Sequence, residues 1–261
     1  MQRRALTCFL VIPVMVGLMT GCGQKAKKEA KARAQLQQQL TTIQQLWNHL
    51  NESRDKVKTM NESLAELQAT PSRKLDADQK QQLTTLPEEI SKTVQSNSAA
   101  YDELQEKLAT FLTGALNDHP NAPETAEGLK IYSEEAMYTA EDAVDKAGDY
   151  KKALDILQTA KTYYDTVGIQ PYQPLVDKMA EFEDMRFITK ERFDLVTKGM
   201  TEDEVAKVAG PPYYLNKKHE RGIDFWLYPR REGGAAAIYF NNKHKVYNKN
   251  FDAVKPKVAT D

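Results

Sequence analysis

Apolar residues recur in alternating four- and three-residue steps from Leu36 through Leu40, Ile43, Trp47, Leu50, Val57 and Leu64, with Arg54 and Asn61 interrupting the seam. Heptad spacing of this kind predicts a helix that needs a partner helix along one face. The glutamines Gln37, Gln38, Gln39, Gln44 and Gln45 suit its polar side, and Pro71-Ser72 ends it. A second seam follows in Leu83, Leu86, Ile90, Val94, Tyr101, Leu104, Leu108 and Phe111, with Thr85 and Glu88 as a capping box around Pro87 at its start. Two such helices close on each other as an antiparallel hairpin or pair between chains, and the pattern allows both.

Residues 117–123 read as a linker, rich in Asn, Asp and Pro. A helix is expected over 134–146, a second over 150–164 after Gly148-Asp149, and a third over 175–185. Gly148, Tyr150, Ala153, Leu157 and Ala160 stand at the spacing of the second helix of a tetratricopeptide repeat. Only half a repeat is present, and a single unit of this kind cannot stack by itself. The expectation is therefore a helical hairpin with repeat-like packing.

The pattern then changes period. A short helix ends at Phe193, Leu195 and Val196, and Lys198-Gly199 is expected to make the turn that stops it. Thr201 with Glu204 forms a capping box for the next helix, which Gly210-Pro211-Pro212 stops. Strand-like stretches follow at 213–215, 223–228, 235–240 and 245–251, separated by the turn residues Arg231-Glu232-Gly233-Gly234 and Asn241-Asn242-Lys243. The predicted class is α+β. An N-terminal all-α region precedes a small ααβββ domain with an antiparallel sheet of about three strands. The segments are a leader at 1–21, a helical stalk at 22–118, a helical hairpin at 119–187 and the mixed domain at 188–261.

Alternation in 225–228 puts Phe225 and Leu227 on one sheet face, expected to be the buried one. Trp226 and Tyr228 fall on the other, where they join Tyr213 and Tyr214 as candidate partner contacts, since aromatic side chains are favoured interface anchors.

Composition alters this picture at two places. The chain has 261 residues with 36 Lys+Arg against 37 Asp+Glu, and this balance argues against a nucleic-acid partner. A mean hydropathy of −0.64 suits long water-washed helices better than one large core. The only cysteines, Cys8 and Cys22, both lie in the first 22 residues, so the remainder has no disulfide framework. Met1-Gln2-Arg3-Arg4 is a basic start, and 5–18 is apolar apart from Pro13, as in a secretory leader. Leu18-Met19-Thr20-Gly21-Cys22 resembles a bacterial lipobox, which implies that Cys22 is lipidated and begins the mature protein. Gly23 stands where an inner-membrane retention aspartate would be, so the resemblance implies the outer membrane. Lys25, Lys27, Lys28, Lys31 and Arg33 then form either a collar beside lipid headgroups or a solvated helix start.

The C-terminal residues carry a second resemblance. Phe193, Gly199-Met200-Thr201, Val205, Gly210-Pro211-Pro212, Phe225-Trp226-Leu227-Tyr228, Ile238-Tyr239-Phe240, Asn242-Lys243 and Val246 together resemble the BamE (SmpA/OmlA) family of small outer-membrane lipoproteins. The likeness covers about 188–252. It implies a signature at Gly199, Met200, Thr201, Gly210 and Pro211, and partners in the β-barrel assembly machinery. Members of that family pass almost directly from lipid anchor to this domain, whereas here more than 160 residues intervene.

No catalytic arrangement is evident. His49, His119, His219 and His244 are dispersed, with no spacing that suits a metal, and Glu202-Asp203-Glu204 is acid suited to a helix start. Residues 188–261 carry a formal charge of +4. The expectation is an interaction protein held to a membrane through Cys22, not an enzyme, with no cofactor and no metal. The alternatives are a coiled-coil spacer or scaffold, and a binder or inhibitor of another envelope protein.

Overall fold

The computed structural model describes the backbone of residues 12–256 and the side chains from Lys27 to Pro256. The leader residues 1–11 and the side chain of Cys22 lie outside the described residues. The chain is α+β, with helices first and an antiparallel sheet last. It divides into two compact units, Met1–Gly128 and Leu129–Asp261.

The first unit contains two long helices, α1 (Ile12–Ala69) and α2 (Ala77–Asp118), which pack against each other within one chain. From Lys27 to Ala69, α1 is about 64 Å long, and α2 is about 63 Å at 1.5 Å per residue. Leu36, Leu40, Ile43 and Leu50 are buried as the heptad pattern requires. Beyond Leu50 the seam moves to Met60 and Leu67, while Val57 and Leu64 are half-buried. It passes beside the two interruptions rather than through them: Ser53 stands in for Arg54 and Met60 for Asn61. Arg54 lays its guanidinium 5.8 Å from the Trp47 ring centroid.

On α2 the buried stretch is Leu104, Leu108, Phe111, Leu112 and Ala115. Val94, expected on the seam, is 50% exposed. Thr93 and Asn97 face inward instead, and Ser53 Oγ donates to Asn97 Oδ1 at 2.5 Å, a polar layer in the apolar seam.

The start of α2 also differs from the expectation. Asp76 accepts from the Gln79 amide at 2.8 Å, and the Gln79 side chain accepts from Asp76 N at 3.0 Å. The capping box therefore lies nine residues before Thr85, and Pro87 sits inside the helix. Near the other end, Glu124 is buried on α3 (Pro123–Ala147), with Oε1 accepting from Arg33 Nε at 3.1 Å. One member of the basic collar is thereby tied within the unit. α3 begins about eleven residues earlier than its periodicity suggested, with proline at its first position, where a missing N–H costs nothing.

In the second unit, α3 continues to a turn at Gly148 and is followed by α4 (Tyr150–Val167) and α5 (Gln173–Met185). Tyr150, Ala153, Leu157, Ala160 and Tyr164 are all buried on one face of α4, the stripe read from the repeat-like spacing. Two arginines cover carbonyls at the end of α5, where the helix dipole favours cations. Arg192 Nη2 donates to the Asp184 carbonyl at 2.8 Å, and Arg231 Nη2 to that of Glu183 at 3.2 Å. Two short helices follow, α6 (Lys190–Leu195) and α7 (Glu202–Ala209).

The sheet has four strands in the order β1 (Lys217–Glu220), β2 (Ile223–Pro229), β3 (Ala235–Phe240) and β4 (Val246–Val254), every neighbouring pair antiparallel. The added strand β1 is wholly exposed and reads Lys-Lys-His-Glu, so no apolar alternation announces it. Residues 213–215, expected as a strand, include the start of a 3-10 turn at Tyr214–Asn216. Under α6 and α7 lies a core of Ile188, Phe193, Val196, Val205, Trp226, Tyr228, Ile238 and Phe240, among others.

The sequence reading divides the mixed domain from the helical hairpin at 187/188, whereas the compact unit runs across that point. A close approach at Gly148 explains why. Gly148 (φ +60°) lies so close to the 210–213 loop that a Cβ would overlap the Pro212 carbonyl and stand 2.6 Å from the Tyr213 nitrogen. Gly168 (φ +72°) has a similar backbone with open space around it. Gly148→Ala is therefore expected to lose roughly 3 kcal/mol or more, combining strain and overlap, and Gly168→Ala about 1 kcal/mol for the left-handed backbone alone. Urea unfolding of both variants checks the difference; equal losses contradict the close approach.

Candidate functional site

The signature residues occupy one continuous strip of the second unit. Gly199 (φ +92°) does not terminate α6, which ends four residues earlier with Val196 as its cap. Its positive φ turns the chain so that residues 199–201 run beside the start of β4. Gly199 N donates to the Val246 carbonyl and Val246 N to the Met200 carbonyl, both at 2.8 Å, and Thr201 bridges Lys245. Met200 packs on the core. Thr201 then caps α7 as expected: its Oγ1 accepts from Glu204 N at 3.3 Å, and its own N–H donates to Glu204 Oε2 at 2.8 Å. That donated backbone hydrogen bond, the largest cause, holds the Glu204 carboxyl below its usual range.

At the other end of α7, Gly210 takes φ +87°. A Cβ there would stand 2.7 Å from the Tyr150 hydroxyl and 3.1 Å from Met185 Cε. The Gly210 carbonyl accepts from the Tyr228 hydroxyl at 3.0 Å. Pro212 is buried, and its carbonyl lies over Gly148. Gly210-Pro211-Pro212 is thus the seam that joins α4 and α5 to α7 and the sheet. A helix stop explains only part of it; the rest is backbone closeness that larger residues would prevent.

Of the four candidate contact residues, the structure places two inside. Trp226 is 5% and Tyr228 4% exposed, and both belong to the core. Register decides this: Trp226 pairs with Ile238 and Tyr228 with Ala236, on the face that α6 and α7 cover. Ala236 leaves room for the Tyr228 ring, and the Trp226 and Phe240 rings lie 4.7 Å apart. Tyr214 is 53% exposed and Tyr213 half-buried, their rings edge to face at 4.8 Å.

The outer face instead carries Phe225 and Leu227, both half-buried, with Tyr239 and Tyr247. Ring centroids are 5.7 Å apart for Phe225–Tyr239 and 6.3 Å for Tyr239–Tyr247. Sequence reasoning missed this face because residues 225–228 are apolar on both sides. β3 holds the discriminating signal: Ile238 and Phe240 share one parity, and Tyr239, with a hydroxyl suited to water, has the other.

His219 stands on β1 with Nδ1 2.6 Å from Asp224 Oδ1. His244, at φ +54°, has Nδ1 2.8 Å from Glu202 Oε1. Among the described residues no group of three or more His, Cys, Asp or Glu is placed to hold a metal ion. No described helix is long and apolar enough to cross a membrane. Comparisons of the chain with models of protein families, with curated proteins and with solved structures give no match.

The seam has an alkaline signature. Burial pushes the Tyr150 hydroxyl up to about 12, and it raises the Tyr228 hydroxyl as well. Above pH 10, tyrosines of the unfolded chain lose protons that these two retain when folded. The unfolded state then binds fewer protons, so stability is full below pH 10 and falls as pH rises through about 12. Tyr228→Phe is expected to flatten part of this fall and, at neutral pH, to cost about 1 kcal/mol for the lost hydrogen bond to Gly210. Urea midpoints at neutral pH and at about pH 11 check both effects.

Proposed function

We propose that this protein is a lipid-anchored interaction protein of the bacterial outer membrane, facing the periplasm and accessory to β-barrel assembly or envelope integrity. The observation that carries the reading is the lipobox-like Leu18-Met19-Thr20-Gly21-Cys22 at one end together with the Gly199-Met200-Thr201 and Gly210-Pro211-Pro212 signature at the other. Acyl chains contribute roughly 0.8 kcal/mol per buried methylene, so several on Cys22 would hold the chain firmly at a bilayer. The half-exposed outer sheet face supports a binding role, because aromatic side chains are favoured contact residues.

The α1–α2 hairpin favours a second reading, a spacer or scaffold. Its helices pair within the chain along most of their length, which leaves no need for a second chain to cover the seam. In that case the helices do the binding, and the C-terminal unit only terminates them.

Cys22→Ser is expected to leave the protein soluble or unprocessed in fractionated cells. A variant that still sediments with the outer membrane at the mature size contradicts lipidation. Crosslinking of the mature lipoprotein in envelopes, followed by purification, is expected to recover barrel-assembly components. Their clean absence, with no envelope defect on deletion, contradicts that assignment.

A further inference from the structure

Charge along α1 comes in blocks. Residues 23–33 hold Lys25, Lys27, Lys28, Lys31 and Arg33 against Glu29 alone, five cations to one anion and a net +4. Residues 34–51 then contain no Asp, Glu, Lys or Arg, and 52–69 carry four acidic and three basic residues in mixed order. Charges that only keep a helix in water have the mixed pattern of 52–69, whereas the root of α1 is nearly of one sign.

Helix geometry gives this block a face. At about 100° per residue, Lys27, Lys28 and Lys31 fall within an arc of about 100°. Glu29 and Arg33 lie on the other side, with Leu36 and Leu40 of the seam, and the buried Glu124 holds Arg33 there. Lys27, Lys28 and Lys31 are exposed, and among the described residues of this root the ion pair formed is that of Arg33. Beyond Lys31 the same face continues through Gln35, Gln38, Thr42 and Gln45, all exposed, and no carboxylate interrupts it before residue 52.

A lipid on Cys22 limits how far this face can stand from a bilayer. Lys27 to Lys31 lie about 7 to 14 Å along the helix from Cys22, and charges act across about 8 Å at physiological salt. An upright α1 holds the lysines at the limit of that range. An α1 leaning on its lysine face brings all three to the headgroups, each strengthening contact with an anionic surface about fivefold. Acyl chains alone set no direction of lean, and a one-sided face does. We propose that the Lys27–Lys28–Lys31 face of α1 docks on anionic phospholipid headgroups, so that the hairpin leans over the membrane along Gln35 to Gln45. This rests on the reading of Cys22 as the membrane anchor, and it adds the class of lipid and the orientation.

The test uses the whole chain from Cys22 onward, coupled to a maleimide lipid through the Cys22 thiol, its only cysteine once the leader is gone. It is then anchored whether or not cells acylate it. A fluorescent amino acid at Gln45 sits about 35 Å along α1 from the anchor, and spin-labelled headgroups quench it only on contact. The vesicles are phosphatidylcholine alone, or phosphatidylcholine with phosphatidylglycerol. Phosphatidylglycerol is expected to raise the ratio of quenched to unquenched protein at least tenfold, the joint effect of three lysines at about fivefold each. Lys27→Gln with Lys28→Gln and Lys31→Gln, all good helix formers, should return it to the neutral-vesicle value. Lys151→Gln with Lys152→Gln, on the exposed side of α4, should leave it unchanged. Circular dichroism confirms that both variants remain folded. Equal quenching in the two kinds of vesicle, or a triple variant that behaves as the parent, overturns the docking. So does heparin binding by this face without quenching, which would place a soluble polyanion there. Mass spectrometry of the protein from cells separates the two readings. An unmodified Cys22 overturns the anchor on which docking in cells depends, whereas unchanged quenching overturns the docking alone.

Discussion

The second unit depends on two close approaches made at glycines with positive φ. Gly148 lies against the Pro212 carbonyl, and Gly210 against the Tyr150 hydroxyl. Between them they bring the start of α4 onto the loop that leads from α7 into the sheet. Tyr228 reaches from the sheet to the Gly210 carbonyl, so helices and strands meet at a single peptide group. A side chain at either glycine would hold the two layers apart and take with it the burial of Tyr150, Met185 and Tyr228. The short helices and the strands are small for independent stability, since small domains bury a lower fraction of their surface. Joined to α4 and α5, they share one core boundary.

The first unit solves a different problem. Two long paired helices, of 58 and 42 residues, can slide by a heptad with little loss if their seam is uniformly apolar. The Ser53–Asn97 layer breaks that uniformity, because a slip would bury each polar group without its partner. At the loop end, Leu75 is buried beneath the 3-10 turn, and the Asp76–Gln79 box fixes where α2 begins. At the far end, Arg33 and the buried Glu124 tie the start of α3 to α1.

Much of this was legible in the residues. Heptad spacing located both long helices, the stripe from Tyr150 to Ala160 located α4, and Thr201 with Glu204 located α7 and its cap. These succeeded because helix periodicity and capping are local. Local reading also misplaced the start of α2, which Asp76 and Gln79 cap nine residues before Thr85, and the start of α3; the failures in the sheet were set by pairing. The sheet face carrying Trp226 could not be chosen from β2, whose two faces are equally apolar; register with Ile238 and Ala236 chooses it. β1 has no apolar residue to announce it and exists because β2 offers an edge. The role of Gly210 was legible only as a helix stop, since its contact with Tyr150 spans sixty residues of chain.

The central claim is that α4, α5, α7 and the sheet form one cooperative body held at the Gly148–Gly210 seam. Native-state hydrogen exchange across a urea series measures this most directly, by comparing amides in α4 with amides in β3. One body predicts that both sets reach the same opening free energy with the same urea dependence. An α4 that exchanges at lower urea and with a smaller urea dependence, while β3 stays protected, would contradict it.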